Sequence, residues 1–302
     1  MESAVVLVEW LGSASDPEAL GGKGASLDRL ARLGFRIPPG FCLTTEAFRT
    51  QLRSMPQASA LLSRLAASND PSLGAELAAT LTEAALSTDI DEPLRSALAT
   101  LDEGARARSG RAARLAVRSS AIGEDSSAAS YAGLHETELD RSVDEIPAAI
   151  RRCWASLWSA PALAYRTRRQ LPLDGAAMAV VVQELVPADA AAVAFTRHPV
   201  TGRDDQLVLT AIRGLGEAMV SGTVTPDTFV VDRATGAVAE HTLGDDAERP
   251  LDPASLRALV DLVLRVEAGF GAPVDVEAAM ANREWYLLQA RPITTSVSAV
   301  RA

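Results

Sequence analysis

A chain of 302 residues with 48% apolar side chains can bury a sizeable core and fits about two lobes. Its net charge of −10 and pI near 4.9 exclude general nucleic-acid or anionic-membrane binding, since either would work against the protein's own field; a phosphate ligand must meet a local cluster of positive charge. With no basic leader and no 18-residue apolar span, the expected location is the cytoplasm.

Residues 5–8 read as a first short strand. Gly21-Gly22-Lys23-Gly24-Ala25-Ser26-Leu27 follows as a glycine-rich loop running into a helix with Leu27, Leu30 and Leu33 at helical spacing. Lys23 is the only lysine, the other 28 basic residues being arginine. Glycines let backbone N–H groups approach a phosphate, the helix points its positive end at the same spot, and the ammonium adds a point charge. The spacing is not that of a P-loop, so a solvated helix-leading turn stays open at this point.

Residues 34–41 form a proline-stiffened connector, and Thr44 is an N-cap for a helix starting at Thr45. Residues 51–107 read as a helical layer, broken at Asn69-Asp70-Pro71 and at Asp91-Glu92-Pro93. Residues 115–120 are a buried strand carrying Arg118, followed by a run of small residues through Gly133 that fits a flap over an anion or a plain surface loop. A helix over 144–159 turns Trp154 to the core, and 176–182 is a strand buried on both faces. It ends in Gln183-Glu184-Leu185-Val186-Pro187, polar groups able to bond a flat heterocycle edge-on, and the lobe boundary falls there.

The second lobe is strand-rich, with strands at 190–195, 206–212, 228–231 and 285–288 and one helix at 253–269. Asp275 and Glu277 share one side of an extended segment. Across a hairpin through Asn282-Arg283 come Gln289 and, two further on, Arg291. Carboxylate, amide oxygen and guanidinium at strand ends can seat a hard cation and the phosphate oxygens it bridges, or can be incidental charges on a solvated hairpin. Cys42 and Cys153 lie far apart outside any CxxC and read as buried thiols, while His135, His198 and His241 are too scattered for a histidine metal cage.

Several blocks, in order from residue 21 to 294, carry a resemblance. They are the Lys23 glycine run, Ile37-Pro38-Pro39-Gly40-Phe41, Val117-Arg118-Ser119-Ser120-Ala121 with Glu124-Asp125, Ala132-Gly133 with Glu136-Thr137, and Val186-Pro187-Ala188-Asp189. Pro199-Val200-Thr201-Gly202, Gly214-Leu215-Gly216-Glu217, Val220-Ser221-Gly222 with Thr225-Pro226-Asp227, and Leu288-Gln289-Ala290-Arg291-Pro292-Ile293-Thr294 complete the set. Together they resemble the nucleotide-binding domain of the phosphoenolpyruvate synthase and pyruvate phosphate dikinase family, which includes rifampicin phosphotransferase.

The resemblance implies an α/β (α+β) ATP-grasp fold with an N-terminal lobe over 1–184 that carries the helical layer, a strand-rich lobe over 185–302, and ATP between them. It also implies that Lys23 and Arg118 hold phosphates under the flap that contains Gly133 and precedes Thr137, and that Gln183, Glu184 and Val186 hold adenine. Glu277 and Gln289 match magnesium ligands and Arg291 a γ-phosphate contact, with Lys23, Arg118 and Arg291 as the catalytic cations; Glu217 and Asp275 match acidic positions lining the cleft.

There are departures. Ala278 stands where the family has a bulky residue, and Ile212-Arg213 replaces a small-aromatic pair. No Thr-Ser-His block follows, and neither His135 nor His198 has the neighbours of a phosphoryl carrier. The expectation is an ATP- and Mg²⁺-binding component that passes phosphoryl groups to a histidine on a separate or missing domain, for a small-molecule acceptor, releasing AMP and phosphate. The alternatives are a free-standing kinase releasing ADP and a non-catalytic ATP-binding module.

Overall fold

Short strands of mixed burial build two antiparallel sheets in the computed structural model, which describes residues 6–68, 70–122, 137–173, 175–220, 222–246 and 248–293. The mixed α/β class is as expected. The chain divides into two units at three points, Asp28/Arg29, Pro38/Pro39 and Leu185/Val186, so that 29–38 belongs with the second unit.

The first unit holds, in chain order, β1 (Val8–Trp10), the start of α1 (Gly21–Arg32), β2 (Gly40–Leu43), α2 (Thr45–Arg53), α3 (Pro56–Ser68), α4 (Pro71–Glu83) and α5 (Thr88–Ser109). It continues with β3 (Leu115–Ala121), β4 (Thr137–Arg141), α6 (Ile146–Ser156), α7 (Ala160–Arg168) and β5 (Met178–Glu184). The sheet runs β1-β2-β5-β3-β4. Period-two alternation gives it two different faces. Phe41, Leu43, Leu115, Val117, Val180 and Val182 meet the helices in one core with Phe48, Leu77, Leu94 and Trp154. Trp154 is fully buried, sets its ring edge-on to Phe48 at 5.8 Å, and donates from Nε1 to the Met178 carbonyl at 3.1 Å, so the polar atom of this large side chain is satisfied.

Thr44 caps α2 as expected, its Oγ1 accepting from the Ala47 N–H. The break expected at Pro93 lies elsewhere. Pro93 is inside α5, where the buried face of Ile90, Leu94, Leu98 and Leu101 outweighs the one backbone bond that proline cannot make. The chain turns instead at 84–87, held by the buried Gln51, whose Nε2 donates to the Ala85 carbonyl and whose Oε1 accepts from Ser87 N–H, both at 2.9 Å. The first strand is also later than expected, starting at Val8, where Trp10 opposite Phe41 stacks edge-on at 5.5 Å.

The second unit holds β6 (Ala190–Phe195), β7 (Gln206–Arg213), α8 (Glu217–Val220), β8 (Asp227–Asp232), β9 (Val238–Thr242), α9 (Pro253–Phe270), β10 (Val274–Ala281) and β11 (Glu284–Pro292), with sheet order β11-β10-β6-β7-β8-β9. The Asp252 carboxylate caps α9 by accepting from Ser255 N–H, Gly271 ends it at φ 68°, and its buried Leu259, Val260, Val263 and Val266 face the sheet at β10 and β11. The 29–38 segment ties itself to this unit: Arg29 donates to the Gly269 carbonyl at 3.0 Å and lies over the Phe270 ring, while the Arg36 carbonyl accepts from Leu287 N–H at 2.9 Å. β9, an exposed edge strand rich in polar residues, carries no apolar alternation and is absent from the sequence reading for that reason.

Candidate functional site

The glycine run before Leu27 is the first turn of α1, not a loop leading into it, and its glycines serve close packing. Gly21 sits at φ 66°, ψ −176°, a conformation essentially restricted to glycine, and a Cβ there would lie 2.1 Å from the Ser120 carbonyl oxygen. At Gly24 a Cβ would lie 2.9 Å from Leu20 Cβ and 3.2 Å from Cys42 Sγ. The Gly24 N–H does not wait for a phosphate. It donates to Ser120 Oγ at 3.0 Å, and that hydroxyl donates onward to the Leu20 carbonyl at 2.7 Å.

This turn, with Lys23 in it, lies on the sheet face away from the helical core. Strand register shows which other residues share that face, because directly opposed side chains point the same way. Arg118 is opposite Thr137 on one side and Val181 on the other; Val181 is opposite Cys42; and Gln183, two residues along, is opposite Ala116 and Gly40. Arg118, Thr137 and Gln183 therefore line one face with the α1 turn, which touches it at Cys42 and Val181. Glu184 projects to the other face, where it is ion-paired with Arg108 of α5. Burial raises the Glu184 pKa, against the pull of Arg108. Any contact to a ligand on the Arg118 face from this position must come from backbone, and the Glu184 N–H is already given to the Pro39 carbonyl. Gly133 and the flap lie outside the described residues, as does His135.

In the second unit the pairing is Asp275 opposite Arg291 and Glu277 opposite Gln289. This pairing depends on a β-bulge. The hairpin turns at Asn282-Arg283, both at positive φ (51° and 63°), with Ala281 opposite Glu284 and Ala278 opposite Leu287. A regular ladder continued from there would set Glu277 against Leu288 and Asp275 against Ala290. The register shift between Glu277 and Ala278 makes Leu288 the extra residue and substitutes Gln289 and Arg291 as partners. Sequence alternation alone does not reveal the shift.

The Arg291 guanidinium grips Asp275 through Nε and Nη2, at 2.9 and 2.8 Å to the same Oδ2. Burial raises the Asp275 pKa, Arg291 opposes the rise, and the neighbouring Glu277 adds to it. Glu277 is half-buried and Gln289 buried. The same face continues through Val193 and Phe195 of β6 and Thr210 of β7. α8 lies over it, with Met219 Sδ 3.4 Å from Thr210 Oγ1 and Gly216 against Ala191, which brings the segment carrying the exposed Glu217 to this face. Towards the turn the face becomes apolar: Val186 packs with Ala279, Ala281, Tyr286 and Leu288. One surface thus grades from an apolar floor at Val186 to a carboxylate, an amide and a held guanidinium.

Among the described residues no three or more His, Cys, Asp or Glu side chains cluster as a metal site. The donors at Glu277 and Gln289 are hard oxygens that suit a magnesium-like ion sharing phosphate oxygens or water as its other ligands. Cys42 is fully buried, and burial pushes its thiol far up, which makes it inert. His198 accepts the Val200 and Thr201 N–H groups at its Nδ1 (3.2 and 3.3 Å), a turn-stabilising role. Arg213 is ion-paired with Glu248. Sequence reasoning names Ser120 without giving it a role and misses Asp28, a buried carboxylate that accepts from Gly12 and Ala14 N–H groups at 2.8 and 3.1 Å. A polar residue two positions from Arg118 on the same strand face was the available signal for Ser120.

Residues 17–301 match the family described as pyruvate phosphate dikinase, AMP/ATP-binding domain. The chain is similar to a probable phosphoenolpyruvate synthase of Methanothermobacter thermautotrophicus, at 35% identity over 98% of this chain and 46% of the relative. It is similar to a rifampicin phosphotransferase of Streptomyces sp, at 38% identity over 91% of this chain and 34% of the relative. It is also similar to prodigiosin synthesizing transferase PigC of Serratia marcescens, at 35% identity over 95% and 33%. The chain spans between a third and a half of the length of these relatives.

Proposed function

The chain belongs to the pyruvate phosphate dikinase AMP/ATP-binding family, and from that premise we propose that it binds Mg-ATP and donates phosphoryl groups to a histidine carried on a separate domain or protein, for onward transfer to a small molecule with release of AMP and phosphate. The observation that carries the reading is the bulged hairpin, which sets Glu277 against Gln289 and an Asp275-held Arg291 beside them on a face with an apolar floor. Phosphoryl transfer asks a protein mainly for positioning and charge neutralisation, and these are the residue types that supply both.

In this reading Lys23 and Arg118 neutralise phosphate oxygens, and Gln183 and Val186 seat the base, Gln183 by hydrogen bonding and Val186 by apolar contact. Glu184 contributes through its backbone, since its carboxylate is given to Arg108. Glu277 and Gln289 hold the divalent ion, which when bound offsets the charge of the triphosphate. Arg291, kept in place by Asp275, neutralises the transferring phosphoryl group, and Glu217, Thr137 and Gly133 border the same ligand.

Calorimetric titration with Mg-ATP tests the binding half, with Lys23→Ala and Glu277→Gln each expected to lose at least about tenfold in affinity, roughly 1.4 kcal/mol. Transfer of label from β- and γ-labelled ATP to a histidine-domain protein tests the rest. Wild-type affinity in both variants, or no label on any histidine acceptor, overturns the proposal.

A further inference from the structure

We propose that Ser120 is a positioning residue for phosphate binding: its hydroxyl locks the α1 turn carrying Lys23 to the strand carrying Arg118. The inference rests on the reading that Lys23 and Arg118 hold phosphates. Ser120 is fully buried and lies two residues from Arg118 on the same face of β3. Its Oγ accepts from the Gly24 N–H at 3.0 Å and donates to the Leu20 carbonyl at 2.7 Å, so one hydroxyl bridges the two backbone groups that flank Lys23. The fit is close on every side. Gly21 approaches the Ser120 carbonyl so nearly that no side chain could stand there, and Gly24 is pressed against Leu20 and Cys42.

Two cations on separate elements, one on a helix turn and one on a strand, gain from a fixed separation only if something sets it. The Ser120 bridge is a short connection between them, because strand β3 carries both the hydroxyl and the guanidinium. Replacing the hydroxyl by hydrogen leaves a buried N–H and a buried carbonyl without that partner. The turn then has reason to shift to find others, and Lys23 moves with it while Arg118 stays.

A double-mutant cycle on the 302-residue chain separates this role from plain structural support. Ser120→Ala, Lys23→Ala and the double variant are titrated with Mg-ATP and with adenosine, with Ser119→Ala as an equally buried serine on the opposite face of the same strand. Ser120→Ala is expected to weaken Mg-ATP about tenfold while adenosine affinity stays within about twofold. In the Lys23→Ala background the same change is expected to cost less than about twofold, because the residue it positions is gone. Ser119→Ala lowers the melting temperature without this selectivity. Ser120→Cys, which retains a weak donor and acceptor, falls between Ser120→Ala and wild type and stands in if the alanine variant does not fold. Full additivity with Lys23→Ala, or parallel loss of ATP and adenosine binding, overturns the positioning role and leaves the Mg-ATP reading intact. No loss of Mg-ATP affinity in Lys23→Ala overturns the phosphate role of Lys23 and the positioning role of Ser120 with it, and leaves Mg-ATP binding to be decided by Glu277→Gln.

Discussion

Replacing Gly21 with alanine tests the packing of the α1 turn most directly. Two costs combine at this position. The backbone at φ 66°, ψ −176° is strained for any residue with a Cβ, by about 1–3 kcal/mol. The new methyl would also stand 2.1 Å from the Ser120 carbonyl oxygen and 2.6 Å from its carbon, both backbone atoms in a buried strand that cannot swing aside, which adds about 1–3 kcal/mol of overpacking. The expected total is about 2–6 kcal/mol. Gly34 is the control, because it too has positive φ, 79°, but nothing lies within 4 Å of its Cβ position. Gly34→Ala should lose only the backbone part, about 1–2 kcal/mol. Urea denaturation of both variants, with unchanged m-values, reads the difference as a shift in midpoint. Equal losses at the two positions would show that the helix turn does not press on the strand as described, and would remove the basis for linking Lys23 to Ser120.

Three further outcomes follow from the pairings. Glu138 accepts two bonds from Arg152, at 2.6 and 2.7 Å, which holds its carboxyl below the usual range; the stability this confers is present above the unfolded glutamate pKa and is lost as pH falls through the depressed native value. Glu138→Gln should flatten the acid limb of the stability profile, and parallel limbs in urea midpoints from roughly pH 3 to 6 would refute it. Asp275 has the opposite sign: its raised pKa makes the native state hold more protons than the unfolded chain between the ordinary aspartate value and the raised one, so stability falls as pH rises through that window. Arg291→Gln removes the opposing charge and should carry the fall to higher pH, visible as an upward-shifted Asp275 carboxyl titration by NMR; an unshifted titration would refute it. Arg283 sits at φ 63° in the hairpin turn and its ion pair with Asp252 is highly exposed, so Arg283→Gly should stabilise by about 1 kcal/mol, and a lowered unfolding midpoint would count against the turn geometry.

The strongly patterned parts of the fold are legible in the sequence. The strand at 190–195 and the helix starting at Pro253 carry their own period and punctuation, and Thr44 announces the start of α2. What escapes is decided by contacts distant in sequence. Pro93 looks like a helix end until the buried face it sits beside is known, and the true turn depends on Gln51, more than thirty residues away. The glycines around Lys23 suggest freedom, whereas two of the three are there because neighbouring atoms leave no room. Glu277, Gln289 and Arg291 can be picked out by residue type and approximate spacing, but a regular hairpin turning at Asn282-Arg283 would have paired Glu277 with a leucine.

The extra leucine at 288 has a consequence for chain length. A ladder shorter by that one residue would still bring the same four polar side chains into register, so the ingredients of this surface do not require it. What the insertion contributes is curvature, since a bulge bends and twists the edge strand just where Gln289 and Arg291 begin. Two proteins could therefore carry an identical set of polar residues here and differ, by a single codon, only in the direction those residues are aimed.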